Sequence, residues 1–72
     1  MSLQDLKTSD PKAHAGNIKT AITELIQDIR RDVEQVNEPK AQALFETSAE
    51  VLQGLVTAYE HYEAGKEAAF RR

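Results

Sequence analysis

The side chains with the most chemical capacity in this sequence gather around its second histidine. His61 stands between Glu60 and Tyr62, with Tyr59 and Glu63 just outside them. Folding the chain back at Glu38 sets His14 level with Tyr62, so two imidazoles, two carboxylates and a phenol would share one end of the molecule. Zinc and other transition metals take such ligands. Di-iron helical bundles draw theirs from a Glu-x-x-His pair on one helix, and here Ala58 occupies the position that glutamate would need. No His-x-x-x-His pair is present either, so no metal site is expected. The expectation for both histidines is a half-exposed place on the flank of a helical body.

Catalysis is not expected from the same cluster. His61 is a conceivable base and Glu60 or Glu63 a conceivable acid. A catalytic histidine, however, needs a nucleophile or an orienting group held in a dry pocket. Ser48 has no base beside it on its own helix, and reads as a small packing residue or a hydroxyl bonded one turn back. There is no glycine-rich phosphate loop, dinucleotide fingerprint or calcium-loop spacing. No cofactor is called for.

Charge narrows the partners. Nine basic and twelve acidic side chains give a formal net charge of −3 and a pI near 5.3. Nucleic-acid binders carry a basic face. Lys12, Lys19, Arg30 and Arg31 are the residues that would touch phosphates, but Asp28, Asp32 and Glu34 interrupt them. Nucleic acid is therefore the alternative reading, behind protein–protein interaction or regulation. Glu46, Glu50, Glu60 and Glu63 lie in a stretch, 41–65, without Lys or Arg. A basic partner would suit that stretch, although a solvated helix face explains it as well. No run of eighteen apolar residues is present, so no membrane span is expected. The first residues lack the basic and apolar segments of a secretory leader, and a cytoplasmic location is the expectation.

These residues need elements to hold them. Residues 1–10 read as a flexible polar arm with Met1, Leu3 and Leu6 as its apolar side chains, and 11–72 as a helical hairpin. Asp10-Pro11 is a helix start: the carboxylate caps free N–H groups, and proline fits the first turn. Ile22, Ile26, Ile29, Val33 and Val36 then follow at spacings of four and three, with Ile18 and Leu25 beside them. That is the buried stripe of an amphipathic helix over about 11–37. Asn37-Glu38-Pro39 interrupts it. Proline removes a helical hydrogen bond and restricts the residue before it, so a tight turn at 37–39 is preferred over a kink. Asn37 would close the first helix and Pro39 open the second, which should run over about 39–70. The second helix carries a seam through Leu44, Ser48, Val51, Leu55, Ala58, Tyr62 and Gly65. A parallel stripe holds Phe45, Leu52 and Tyr59.

The fold class expected is all-α, an antiparallel two-helix hairpin assembling as a homodimeric four-helix bundle. A 72-residue chain buries only about 60% of its unfolded surface, and without cysteine it has no disulfide to staple it. In the lone hairpin Ile22, Ile26, Ile29 and Val33 would meet Leu44, Val51 and Leu55. Ile18, Leu25, Phe45, Leu52 and Tyr59 would stay partly wet. Together with Tyr62, these side chains form the expected interface with a second copy of the chain, and a higher oligomer stays open.

Overall fold

A computed structural model describes residues 7–65. Two helices account for most of them: α1, Pro11–Gln35, and α2, Pro39–Glu63, packed against each other as a hairpin. Of the expected arm, 1–10, residues 7–10 fall inside this span and lie outside any helix; the rest of the arm is outside the described residues.

The start of α1 follows from its cap. Asp10 is extended, and its carboxylate accepts from the Lys12 backbone N–H at 3.0 Å. Pro11 fills the first turn, where its missing N–H leaves no gap in the ladder. Thr8 Oγ1 accepts from the Asp10 N–H at 3.0 Å, and His14 Nε2 lies 2.6 Å from the Thr8 carbonyl oxygen. A carbonyl can only accept, so His14 Nε2 carries the proton of this contact.

Between the helices the chain turns through Val36, Asn37 and Glu38. The sequence places the turn at 37–39, with Asn37 closing the first helix. The structure differs: α1 ends at Gln35, Val36 is already extended, and no non-glycine residue has positive φ among the described residues. The cause lies two residues further on. Proline forces its predecessor out of the helical region, and Glu38 is extended at φ −119, ψ 120. Gln42 secures the turn from inside α2, its Nε2 donating to the Val36 carbonyl at 2.9 Å.

At the other end, α2 stops at Glu63 instead of running to about residue 70. Gly65 has φ +73, and its N–H donates to the Tyr62 carbonyl at 3.1 Å. This is how a glycine just past a helix end satisfies a free carbonyl. Gly65 therefore ends the helix. It does not thin the seam, since a Cβ placed on it would meet nothing within 4 Å. Residues 66–70 of the expected helix lie outside the described residues.

The core shows a second correction. Ile26, Ala49 and Val56 form its main cluster, with Ile22, Ile29 and Leu52 packed around them, and Ala15 is buried toward the open end. The α2 seam facing α1 thus runs through Phe45, Ala49, Leu52, Val56 and Tyr59, spaced by four and three. The column through Leu44, Val51 and Leu55, expected there, points outward: those three are 61%, 62% and 45% exposed. Both columns have the same periodicity, one residue apart. Ala49, at 1% exposure, explains the choice. A methyl group at that height lets α1 close in, whereas Leu44 or Val51 would hold it off.

Gly54 and Gly65 should respond oppositely to alanine. Gly54 sits in the interior of α2, where an added Cβ would meet nothing within 4 Å, so Gly54→Ala should stabilise the fold by about 0.5–1 kcal/mol. At Gly65 the left-handed backbone penalises any Cβ, and Gly65→Ala should destabilise by roughly 1–2 kcal/mol. Urea denaturation at one fixed protein concentration would show the two signs; equal signs would contradict this account of the helix end.

Candidate interaction surface

The expected chemical cluster is taken apart by the fold. His14 lines a shallow groove at the open end of the hairpin with Pro11, Ile18, Ala58, Tyr59 and Tyr62. His61 is exposed and does not join that lining. Glu63 turns to α1, where its Oε1 accepts from Lys19 Nζ at 2.7 Å. Among the described residues, no three His, Asp or Glu side chains converge as metal ligands would. Ser48 Oγ donates to the Leu44 carbonyl at 2.9 Å, which commits its hydroxyl to the helix backbone. The chain is a small all-helical module, and no catalytic constellation assembles among the described residues.

The cations singled out in the sequence are placed just as clearly. Lys12 Nζ lies 5.8 Å from the centroid of the Tyr62 ring, within the range of a cation–π contact. Lys19 is held by Glu63, and Arg31 pairs with Asp28 on the surface of α1. Arg30 lines a cleft whose other side chains include Glu34 and Glu46. No row of unengaged basic side chains results from these four.

The remaining surface feature is apolar. The groove of about 430 Å³ at the open end is followed by a second, of about 450 Å³, lined by Leu25, Ile29, Thr47, Ser48, Val51 and Leu52. Ile18, Leu25 and Ile29 recur on α1 at seven and four residues. Ser48, Val51, Ala58 and Tyr62 recur on α2 at three, seven and four. Such spacings keep residues on one helix face, so both grooves belong to one side of the two-helix layer. Leu44 and Leu55 stand on the same side. The cleft holding Arg30, Glu34 and Glu46 uses the other edge of each helix and lies on the opposite side. One side of the layer is therefore largely apolar, with Asp32 in line with Ile18 and Leu25 toward the turn, and the other is charged.

Each residue of the expected interface now has a place. Ile26 is buried inside the hairpin, with Ile22, Ile29 and Leu52 packed against its core. Val33, Phe45 and Tyr59 are half-buried. Ile18, Leu25 and Tyr62 line the apolar side, where Leu44, Val51 and Leu55 project from it. Ala15, Ala49 and Val56 are buried residues that the sequence reading leaves out, although the four-and-three spacing from Phe45 to Tyr59 runs through the last two.

Comparison with models of protein families, with curated proteins and with solved structures finds no match. No helix among the described residues is long and apolar enough to cross a membrane.

The Lys19–Glu63 pair fastens the open end, and its pH response has a definite sign. The hydrogen bond to Glu63 raises the Lys19 pKa above 10.5; desolvation opposes the rise, and the charges of Glu63 and Glu60 add to it. The folded chain then holds this proton more tightly than the unfolded chain. The stabilisation is complete below pH 10.5 and is lost as pH climbs through the raised value. Thermal melts of the wild type should decline over that alkaline range more steeply than melts of Lys19→Met. Parallel declines would show that the pair contributes nothing to folding.

Proposed function

We propose that this chain is a non-enzymatic protein-interaction module, and that its apolar side pairs with a second copy to complete a homodimeric four-helix bundle. The observation that carries this reading is the outward column of Leu44, Val51 and Leu55 beside the Leu25–Ile29 groove. Contiguous apolar surface bordered by polar residues marks an interaction site on a small protein.

Size supports a partner as large as the hairpin itself. Two helices of 25 residues are each about 37 Å long. Set side by side at about 8–10 Å between axes, they present a face roughly 20 Å wide. That face is on the order of 700 Å² before side chains interdigitate, close to the ~800 Å² per partner of a standard stable interface. A second copy offers an apolar face of the same length and width, so neither chain would leave part of its stripe wet.

The nucleic-acid reading draws no comparable support. Three of the four cations it needs are occupied by Tyr62, Glu63 and Asp28. Arg30 shares its cleft with two carboxylates.

Sedimentation equilibrium from about 1 to about 100 μM, around the micromolar point of the affinity scale, tests the proposal. The expected species has twice the 8.0 kDa chain mass. Val51→Glu should weaken it by on the order of 2 kcal/mol or more, because association would strip water from an unpaired carboxylate. Val51 is 62% exposed in the hairpin, so helicity by circular dichroism should survive wherever the hairpin folds alone. Glu50→Gln should change nothing. A folded monomer across the whole range would overturn the second-copy reading.

A further inference from the structure

We propose that the open-end groove of the hairpin is filled from within its own chain: residues 1–6 fold back over it, and Leu6 is the side chain that enters. This goes beyond the second-copy reading, whose evidence, the outward column and the Leu25–Ile29 groove, lies on the rest of the apolar side.

The chain already bends this way where it enters α1. Asp10 caps the helix, and Thr8 Oγ1 accepts from the Asp10 N–H at 3.0 Å. His14, one turn into α1, donates from Nε2 to the Thr8 carbonyl at 2.6 Å. A chain entering the helix in line with its axis would hold residue 8 far from residue 14. The contact shows that the chain instead runs back alongside the first turn. His14 is also part of the groove wall, with Ile18 on α1 and Ala58, Tyr59 and Tyr62 on α2. Thr8 is therefore tied to the rim of the groove.

The residues between that rim and α1 do not fill the groove. Lys7, Thr8 and Ser9 are polar and exposed. Many helices pack an apolar residue just before the cap against the fourth helical residue. Those positions are Ser9 and His14 here, and His14 bonds the Thr8 carbonyl instead. The first apolar side chain upstream is Leu6. Two residues of chain extend at most about 7 Å, so Leu6 stays beside the groove that Thr8 borders.

Reach also decides between the two grooves of the apolar side. The second begins on α1 at Leu25. Counted along the helix, that is about 16 Å beyond His14, too far for Leu6 to span from Thr8. Leu3 lies one helical turn before Leu6, a spacing that sets two side chains on one side of a segment, and it follows Leu6 toward Ile18. The covalent tether favours this occupant over any free one. A short linked segment has an effective concentration on the order of mM, far above that of a second copy at micromolar protein.

NMR on the full chain tests the inference. The Leu6 methyl protons should show NOEs to the ring protons of Tyr62 or Tyr59 and to the Ala58 methyl, contacts that place carbon atoms within about 4.5 Å. A mixture of isotope-labelled and unlabelled chains separates contacts within a chain from contacts between chains. Leu6→Asp should shift the Ala58 methyl and Tyr62 ring signals, leave those of Leu25 and Val51 in place, and raise acrylamide quenching of tyrosine fluorescence. Helicity by circular dichroism should hold, because residue 6 lies outside both helices. Leu6 methyls without a groove contact in the wild type, or with contacts only between chains, would overturn the inference. So would a groove occupied by Phe70 or by Leu44 of a second copy in place of Leu6. Sedimentation reads the second-copy proposal separately: a monomer whose Leu6 fills its own groove would support this inference and overturn only that proposal.

Discussion

The structure depends on a constraint in α2: it carries two apolar columns, and the hairpin supplies it with one neighbour. A helix packed on a single partner buries a stripe only about two positions wide. Phe45, Ala49, Leu52, Val56 and Tyr59 take that place, closing on Ile22, Ile26 and Ile29. The adjacent column is left outward as a consequence of the first being satisfied. Core and exposed face are therefore two results of one packing choice, and Ala49 is where the choice is made. A larger side chain at this fully buried position would push the helices apart.

The ends of the hairpin hold this packing in register. At the turn, Pro39 imposes extended backbone on Glu38, and Gln42 reaches back to the Val36 carbonyl. At the open end, Lys19 and Glu63 join the two helices, with Lys12 over Tyr62 nearby. An ion pair still partly open to water adds little to stability by itself. Its role here is positional, since sliding one helix past the other by a turn would separate the charges. Register in turn sets Ile18 against Ala58 and Leu25 against Val51, so the apolar side is continuous across both helices.

Much of this is legible in the sequence. The helical period, the Asp10-Pro11 start and the break before Pro39 are local signals with local causes, and they survive folding. The level placement of His14 and Tyr62 also holds, because a short turn leaves antiparallel helices little freedom. The choice of column is not legible. Leu44-Ser48-Val51-Leu55 and Phe45-Ala49-Leu52-Val56 share one periodicity, and the larger side chains of the first make it look like the core. Periodicity reports which residues share a face; closeness of approach decides which face is used, and that depends on small residues such as Ala49. Gly65 misleads for a related reason. A glycine in phase with a seam looks like a packing device until its positive φ shows the helix ending there. The clustered histidines and carboxylates disperse because neighbours in sequence on a helix point about 100° apart. His61 and Tyr62 therefore face different directions although they touch along the chain.

The opposition between the two sides of the layer also bears on how assembly would end. An apolar face alone does not specify a closed complex, because a layer of helices with two such faces could stack without limit. Here the reverse side carries Arg30, Glu34 and Glu46 around the half-buried Val33. Covering those charges would require desolvating them without an arranged set of partners, which is unfavourable in proportion to their number. Association through the apolar side would therefore leave two charged sides outward, and no further face of equal attraction among the described residues. Growth would stop at the first pairing by the same rule that places Leu44 and Val51 on one side and Arg30 on the other: a residue's position in the helical repeat fixes which side of the layer it joins.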